Sequence, residues 1–204
     1  MDPVKAWHEE HAYFSRLLNV LQEEVDTLYA GQAPNYELVL DIVAYLRDYS
    51  DQVHHPREDE AFRRLARRNA ELRPVIARLQ QEHRVISQSG DRLRELVEEA
   101  AADAVVPRAD IEAAAATYIV YYRNHIAVEE NEILPAAALE LTEDDWTAAR
   151  NVAPARANPL VGEDAGERFR GLRRRIAAES GNAPRTLQCS PLAWRALTWR
   201  NDGS

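Results

Sequence analysis

Four histidines and two glutamates recur at one spacing in this chain. His54 is followed at i+4 by Glu58 and His125 by Glu129, and a single histidine precedes each pair, His11 lying 43 residues before His54 and His83 lying 42 residues before His125. Residues four apart on a helix share a face about one turn apart, so each His-x-x-x-Glu unit can offer an imidazole and a carboxylate to one site. Burying six such groups without partners would be costly, whereas metal ions satisfy all of them together. Six nitrogen and oxygen donors are too many for one tetrahedral zinc and too nitrogen-rich for magnesium or calcium. The set fits two metal ions bridged by Glu58 and Glu129, with iron the first choice and manganese the second.

The elements that must carry these residues are helices, because apolar side chains recur three and four apart and only seven glycines interrupt them. Asp2 and Pro3 open a first helix over about 3–29, with the stripe Phe14, Leu17, Leu18, Leu21, Val25, Leu28 and a stop at Gly31. Asn35 opens a second to about 68, in which Pro56 is expected to make a kink or local break. A third runs over about 74–101 and a fourth from the Ala102–Pro107 loop to about 140, with a kink near Pro135. Four long helices with short connections predict an all-α, up-down-up-down four-helix bundle over residues 1–140. A short helical extension is expected over 141–185, with helices at about 143–153 and 164–179, the latter basic through Arg168, Arg170, Arg173, Arg174 and Arg175 and read as a solvated face. Residues 186–204, with Trp194 and Trp199, read as a tail.

Axial arithmetic puts the histidines at one level. His11 stands about 18 residues before the end of the first helix and His54 about 18 after the start of the second, so both lie about 27 Å from the turn between them. The matching distances for His83 and His125 are about 18 and 17 residues. Two further histidines are secondary candidates. His8, three residues before His11, also suits an ordinary solvent position; His55 points about 100° from His54 on a regular helix, so exposure is expected unless Pro56 re-aims it. Tyr118, Tyr121 and Tyr122 are expected to pack in the core, the alternative being a phenol that hydrogen-bonds a metal-bound group.

Composition excludes several function classes. Across 204 residues, 25 Lys and Arg stand against 34 Asp and Glu, a net charge of −9 that argues against nucleic-acid or membrane-surface binding. The lone Cys189 can form neither an internal disulfide nor a redox pair, which points to a reducing, cytoplasmic compartment. The N-terminal residues lack the pattern of a secretory signal, and no window is apolar enough to span a membrane.

The segments Glu10-His11, His54-His55-Pro56-Arg57-Glu58-Asp59-Glu60, Glu82-His83 and His125-x-x-x-Glu129-Glu130 resemble the hemerythrin HHE cation-binding family over about residues 3–140. Leu141-Thr142-Glu143-Asp144-Asp145-Trp146 and Asn158-Pro159-Leu160-Val161-Gly162 look like the C-terminal extension of its bacterial single-domain members. The resemblance implies a non-heme di-iron centre, with His11, His54, His83 and His125 as terminal ligands, Glu58 and Glu129 as bridges, and an oxo or hydroxo group between the Fe2+/Fe3+ ions. It implies a diatomic ligand, O2 or NO, in sensing, storage or stress protection, with a separate protein partner where signalling is the role. One departure is visible: the oxygen carriers of the family have five ligand histidines, two of them on the third helix, and here that helix offers only His83. Ferritin-like di-iron proteins are the nearest competitor by fold, but their Glu-x-x-His signature is not placed in the shared layer. The alternatives are iron handling or iron-sulfur repair, peroxide turnover, and a metal-free interaction bundle. No nucleophile motif is present, so the enzyme reading is not the leading one.

Overall fold

The computed structural model describes residues 2–153, with Phe169, Gly171, Leu172, Arg174 and Arg175. Four helical rods form the body. The first is α1 (Pro3–Tyr29); the second is α2 (Tyr36–Tyr45), a π-helical stretch (Leu46–His54) and α3 (His55–Arg68); the third is α4 (Arg73–Ala101); the fourth is α5 (Arg108–Val128), a π-helical stretch (Glu129–Ile133) and α6 (Leu134–Glu140). A single 3-10 turn (Ala70–Leu72) precedes α4, and a short α7 (Glu143–Val152) follows the fourth rod. Among the described residues there is no strand, so the chain is all-α, and each rod packs against the next with the fourth returning to the first. Among them too, no helix is long and apolar enough to cross a membrane.

Local chemistry explains the ends. The Asp2 side chain accepts the Val4 and Lys5 amides at 3.0 and 3.5 Å, with Pro3 in the first turn. Gly31, at φ 79°, reverses the chain where a side chain would be strained. Asn35 caps α2 through the Leu38 amide. Thr142 and Asp145 cap α7 reciprocally, and Asp145 also receives Arg64 at 3.0 Å and Arg68 at 2.6 Å, pinning α7 onto α3.

The kink or local break expected at Pro56 and the kink expected near Pro135 take the form of π-helical stretches. A proline cannot donate to the carbonyl four residues back and its ring crowds that carbonyl. Each rod absorbs this by widening into π geometry immediately upstream, ending at His54 and at Ile133, and then resumes as an α-helix in whose first turn the proline sits. The rods therefore run on through their prolines.

Two apolar clusters fill the interior. The larger joins Phe14, Leu17, Leu21, Ile42, Tyr45, Leu93, Tyr118 and Tyr122; the smaller joins Trp7, Phe62, Leu65, Leu79, Ile133, Leu134 and Trp146. Gly90 leaves room for the ring of Tyr118, which a methyl group there would meet at 3.0 Å. The histidines occupy the layer between the clusters. The predicted helix over 164–179 falls mostly outside the described residues, but Phe169 packs edge-on against Tyr45 at 5.9 Å and Leu172 is buried. Residues 186–204, with Cys189, Trp194 and Trp199, also lie outside them.

Candidate metal centre

His11, His54, His83 and His125, one from each rod, are all buried and meet at one level. Their Nε2 atoms face inward. His11 Nε2 lies 3.0 Å from His54 Nε2, and the His83 and His125 rings are 4.6 Å apart. Glu58 and Glu129 reach both pairs. Glu58 Oε1 is 2.9 Å from His54 and 3.2 Å from His11 while its Oε2 faces His83 at 3.6 Å; Glu129 Oε1 is 2.9 Å from His125 while its Oε2 is 3.5 Å from His11. Each carboxylate thus straddles the layer, which is what a bridge between two cations requires.

Whether cations fit can be tested on unpaired atoms. Glu58 Oε2, Glu129 Oε1, His83 Nε2 and His125 Nε2 are buried with no hydrogen bond of acceptable geometry. These atoms face one another only as carboxylate–imidazole pairs, at 2.9 Å and 3.6 Å, and buried polar atoms without a hydrogen bond are costly, a cost that cations bound in the layer would remove. Two donor groups lie within 4.8 Å: His11, His54 and Glu58 on one side, and His55, Glu58, His83 and His125 on the other. Imidazole and carboxylate donors in that mixture suit iron or manganese.

The charges respond to this crowding. Burial opposes the imidazolium form of His11, but hydrogen bonds to Glu130 and Glu58 and the Glu129 charge outweigh it and push it up to about 10; His54, buried beside Glu58 and Glu10, is pushed up to about 9. His83 and His125 are raised by their carboxylate neighbours against the same burial. Burial disfavours ionised Glu58, yet the imidazoles around it hold it well below the usual range, and Glu129 is also held low. Metal ions must therefore displace protons to enter.

His55 corrects the sequence expectation. It is 4% exposed, not solvent-facing, because the second rod turns both histidines inward to flanking seams: His54 toward His11, and His55 onto His83, stacked at 4.1 Å and 11°. Its Nε2 meets Ser50 Oγ at 3.0 Å and its Nδ1 lies 3.3 Å from Asp51. The Tyr122 hydroxyl donates to Ser50 Oγ, which leaves the Ser50 hydroxyl to donate to His55 Nε2. Burial, reinforced by the charge of His83, holds His55 neutral, well below its usual range, and burial pushes Asp51 up to about 7. His8 stands 46% exposed at the surface, paired with Glu130. Tyr118 and Tyr122 are buried as core side chains and Tyr121 is exposed.

Sequence reasoning assigned no role to the carboxylates outside the layer. Glu10, Asp59, Glu82 and Glu130 each meet the outward Nδ1 of a layer histidine. The available signal was position, since each is the immediate neighbour of a layer residue. Ser50 and Asp51 carried no such mark.

In comparisons with known proteins, residues 2–137 match the profile of the Hemerythrin HHE cation binding domain. Curated proteins give no match.

Proposed function

Because the chain belongs to the Hemerythrin HHE cation binding domain family, we propose that it holds a pair of iron ions and uses them to bind a diatomic gas, O2 or NO, for sensing, storage or stress protection in the cytoplasm. The observation that carries this reading is the pair of straddling carboxylates, Glu58 and Glu129, whose oxygens face the Nε2 atoms of His83 and His125 without a hydrogen bond. His11, His54, His83 and His125 would be the terminal ligands and Glu58 and Glu129 the bridges. When bound, the iron pair supplies electrons and an open coordination position for a small ligand.

The chain's own residues shape what can arrive there. Phe14 lies edge-on to His54 at 5.0 Å, Trp7 at 6.0 Å, and Phe62 stacks along His83 at 6.3 Å, so the layer is walled by apolar rings. Burying a charged substrate against such walls would be costly, which favours a small neutral ligand. His55 is not a ligand in this reading, since its Nε2 is hydrogen-bonded to Ser50 Oγ and its Nδ1 faces Asp51 at 3.3 Å.

A second reading, iron delivery, has one observation in its favour: Asp59, which holds His83, is 43% exposed, so that side lies nearest solvent. One experiment separates the two. Protein expressed with iron should contain about two irons per chain, and its anaerobic absorption spectrum should change on adding O2 or NO and return on removing the gas. One tightly held zinc, or no metal, would overturn the iron reading; two irons lost rapidly to a chelator in air would replace gas binding with delivery.

A further inference from the structure

Four carboxylates outside the proposed ligand set connect the histidines in a fixed order. Glu10 on the first rod meets Nδ1 of His54 on the second at 2.6 Å; Asp59 on the second meets Nδ1 of His83 on the third at 3.1 Å. Glu82 on the third meets Nδ1 of His125 on the fourth at 3.2 Å, and Glu130 on the fourth meets Nδ1 of His11 on the first at 2.6 Å. The order closes on itself.

Geometry explains why the offsets alternate. On the first and third rods the carboxylate precedes the layer histidine, as Glu10 precedes His11 and Glu82 precedes His83; on the second and fourth it follows the layer glutamate, as Asp59 follows Glu58 and Glu130 follows Glu129. Successive residues of a right-handed helix turn by about 100°, anticlockwise when the chain runs toward the viewer and clockwise when it runs away. A step of −1 on an up helix and +1 on a down helix therefore swing a side chain in the same rotational sense. Each carboxylate leans from the inward direction toward the next rod in the same sense, and the four together run around the bundle with one hand.

We propose that Glu10, Asp59, Glu82 and Glu130 are positioning residues forming one closed ring, in which each rod orients the imidazole of the next. A carboxylate on Nδ1 keeps a proton there, so that Nε2 is the nitrogen that gives up its proton and presents a lone pair to an entering metal ion. The ring is itself held from outside: the Tyr49 hydroxyl donates to the second oxygen of Glu10 at 2.5 Å, and His8 pairs with the second oxygen of Glu130. This inference rests on reading the four histidines as metal ligands and adds the residues that aim them. Its effect is graded by exposure, with Glu82 11% exposed and Asp59 the most open to solvent.

The test uses full-length protein with four single variants: Glu10→Gln, Asp59→Asn, Glu82→Gln and Glu130→Gln. In metal-free protein, long-range 1H–15N spectra of the histidine rings should show each variant moving the Nδ1 resonance of the next rod's histidine, Glu82→Gln moving His125 and leaving His83 in place. Chelator competition should show about 10- to 100-fold weaker iron binding, greatest for Glu82→Gln and least for Asp59→Asn, with Glu82→Asp restoring much of it. Shifts that fall on the histidine of the same rod, or spread over all four alike, would overturn the ring. If a variant fails to fold, the exposed Asp59→Asn still decides through His83 alone. A parent protein that binds no iron while the resonances move rod to rod would sink the metal reading and leave the ring standing; iron binding without that pattern would do the reverse.

Discussion

In the first His-x-x-x-Glu unit the residue after the histidine is His55, and in the second it is Ile126; both are buried, at 4% and 7% exposure. The units share more than their spacing, since each lies beside a π-helical stretch with a proline following it. They differ in where the wide turn falls. In the first unit it ends at His54 and the step to Glu58 lies in α3, whereas in the second His125 lies in the last turn of α5, which closes at Val128, and Glu129 opens the π stretch. In both cases three residues separate imidazole from carboxylate through mostly α-helical backbone, so the i, i+4 pair keeps one face. The lesson is that the two halves of the layer are matched in carboxylates and unmatched in imidazoles: a third ring, His55, stands only on the side of His83 and His125.

The sharpest way to break the match is to remove what the halves share. Glu58→Ala should lose both metal ions, because this carboxylate touches His11 and His54 on one side and faces His83 on the other. Elemental analysis should fall from about two ions to none, and the melting temperature should fall with it, since metal bound only by the folded chain stabilises it. Retention of one ion by Glu58→Ala would mean that the halves are independent. Next in size is His54→Ala, which removes a donor from the His11 side only and should leave about one ion in the His83 and His125 half.

The layer itself is legible in the amino-acid sequence. The His-x-x-x-Glu repeat and the axial count place the histidines of four rods at one level, because helical rise is nearly invariant and the loops are short. His55 could not be placed in this way. Adjacent residues diverge by about 100°, and whether both face inward depends on how a rod is rotated in its seat, which the π turn before Pro56 alters. The carboxylate ring was present in Glu10, Asp59, Glu82 and Glu130, but reading it requires knowing the sense in which four rods surround the core. The helix ends at Asp2, Gly31, Asn35 and Thr142 were legible because each rests on a local rule.

A smaller effect comes from pH acting on the metal-free protein. His11 and His54 are pushed up to about 10 and about 9 by carboxylates that outweigh their burial. Groups raised in the folded state above an unfolded value near 6.5 stabilise fully below that pH, and the stabilisation is lost as pH rises through the folded values. The melting temperature of the metal-free chain should therefore fall between about pH 6.5 and 10, while metal affinity rises over the same range as competing protons leave. A metal-free melting temperature that climbs with pH would show that the imidazoles are not held charged by Glu58, Glu129, Glu10 and Glu130.

The smallest expected effect comes from erasing the mismatch itself. His55→Ile makes the first unit repeat the second, His-Ile-x-x-Glu, with a side chain already accommodated at the matching position by Ile126. In the proposed ligand set His55 is no donor, its Nε2 being hydrogen-bonded to Ser50, so the substitution removes none from the metal pair, and metal content should stay at about two ions per chain. It does remove the partner of Ser50, which then keeps only the Tyr122 hydroxyl, and it takes the flat ring away from His83. The cost of the stranded hydroxyl is about 1–3 kcal/mol, a drop of several degrees in melting temperature in a chain of this size. The freed His83 ring should also widen the distribution of environments on that side, seen as broadened absorption bands in the iron-loaded protein. Loss of one ion from His55→Ile would instead make His55 a fifth imidazole ligand that leaves Ser50 for the metal, and the two halves would then differ in coordination and not only in their surroundings.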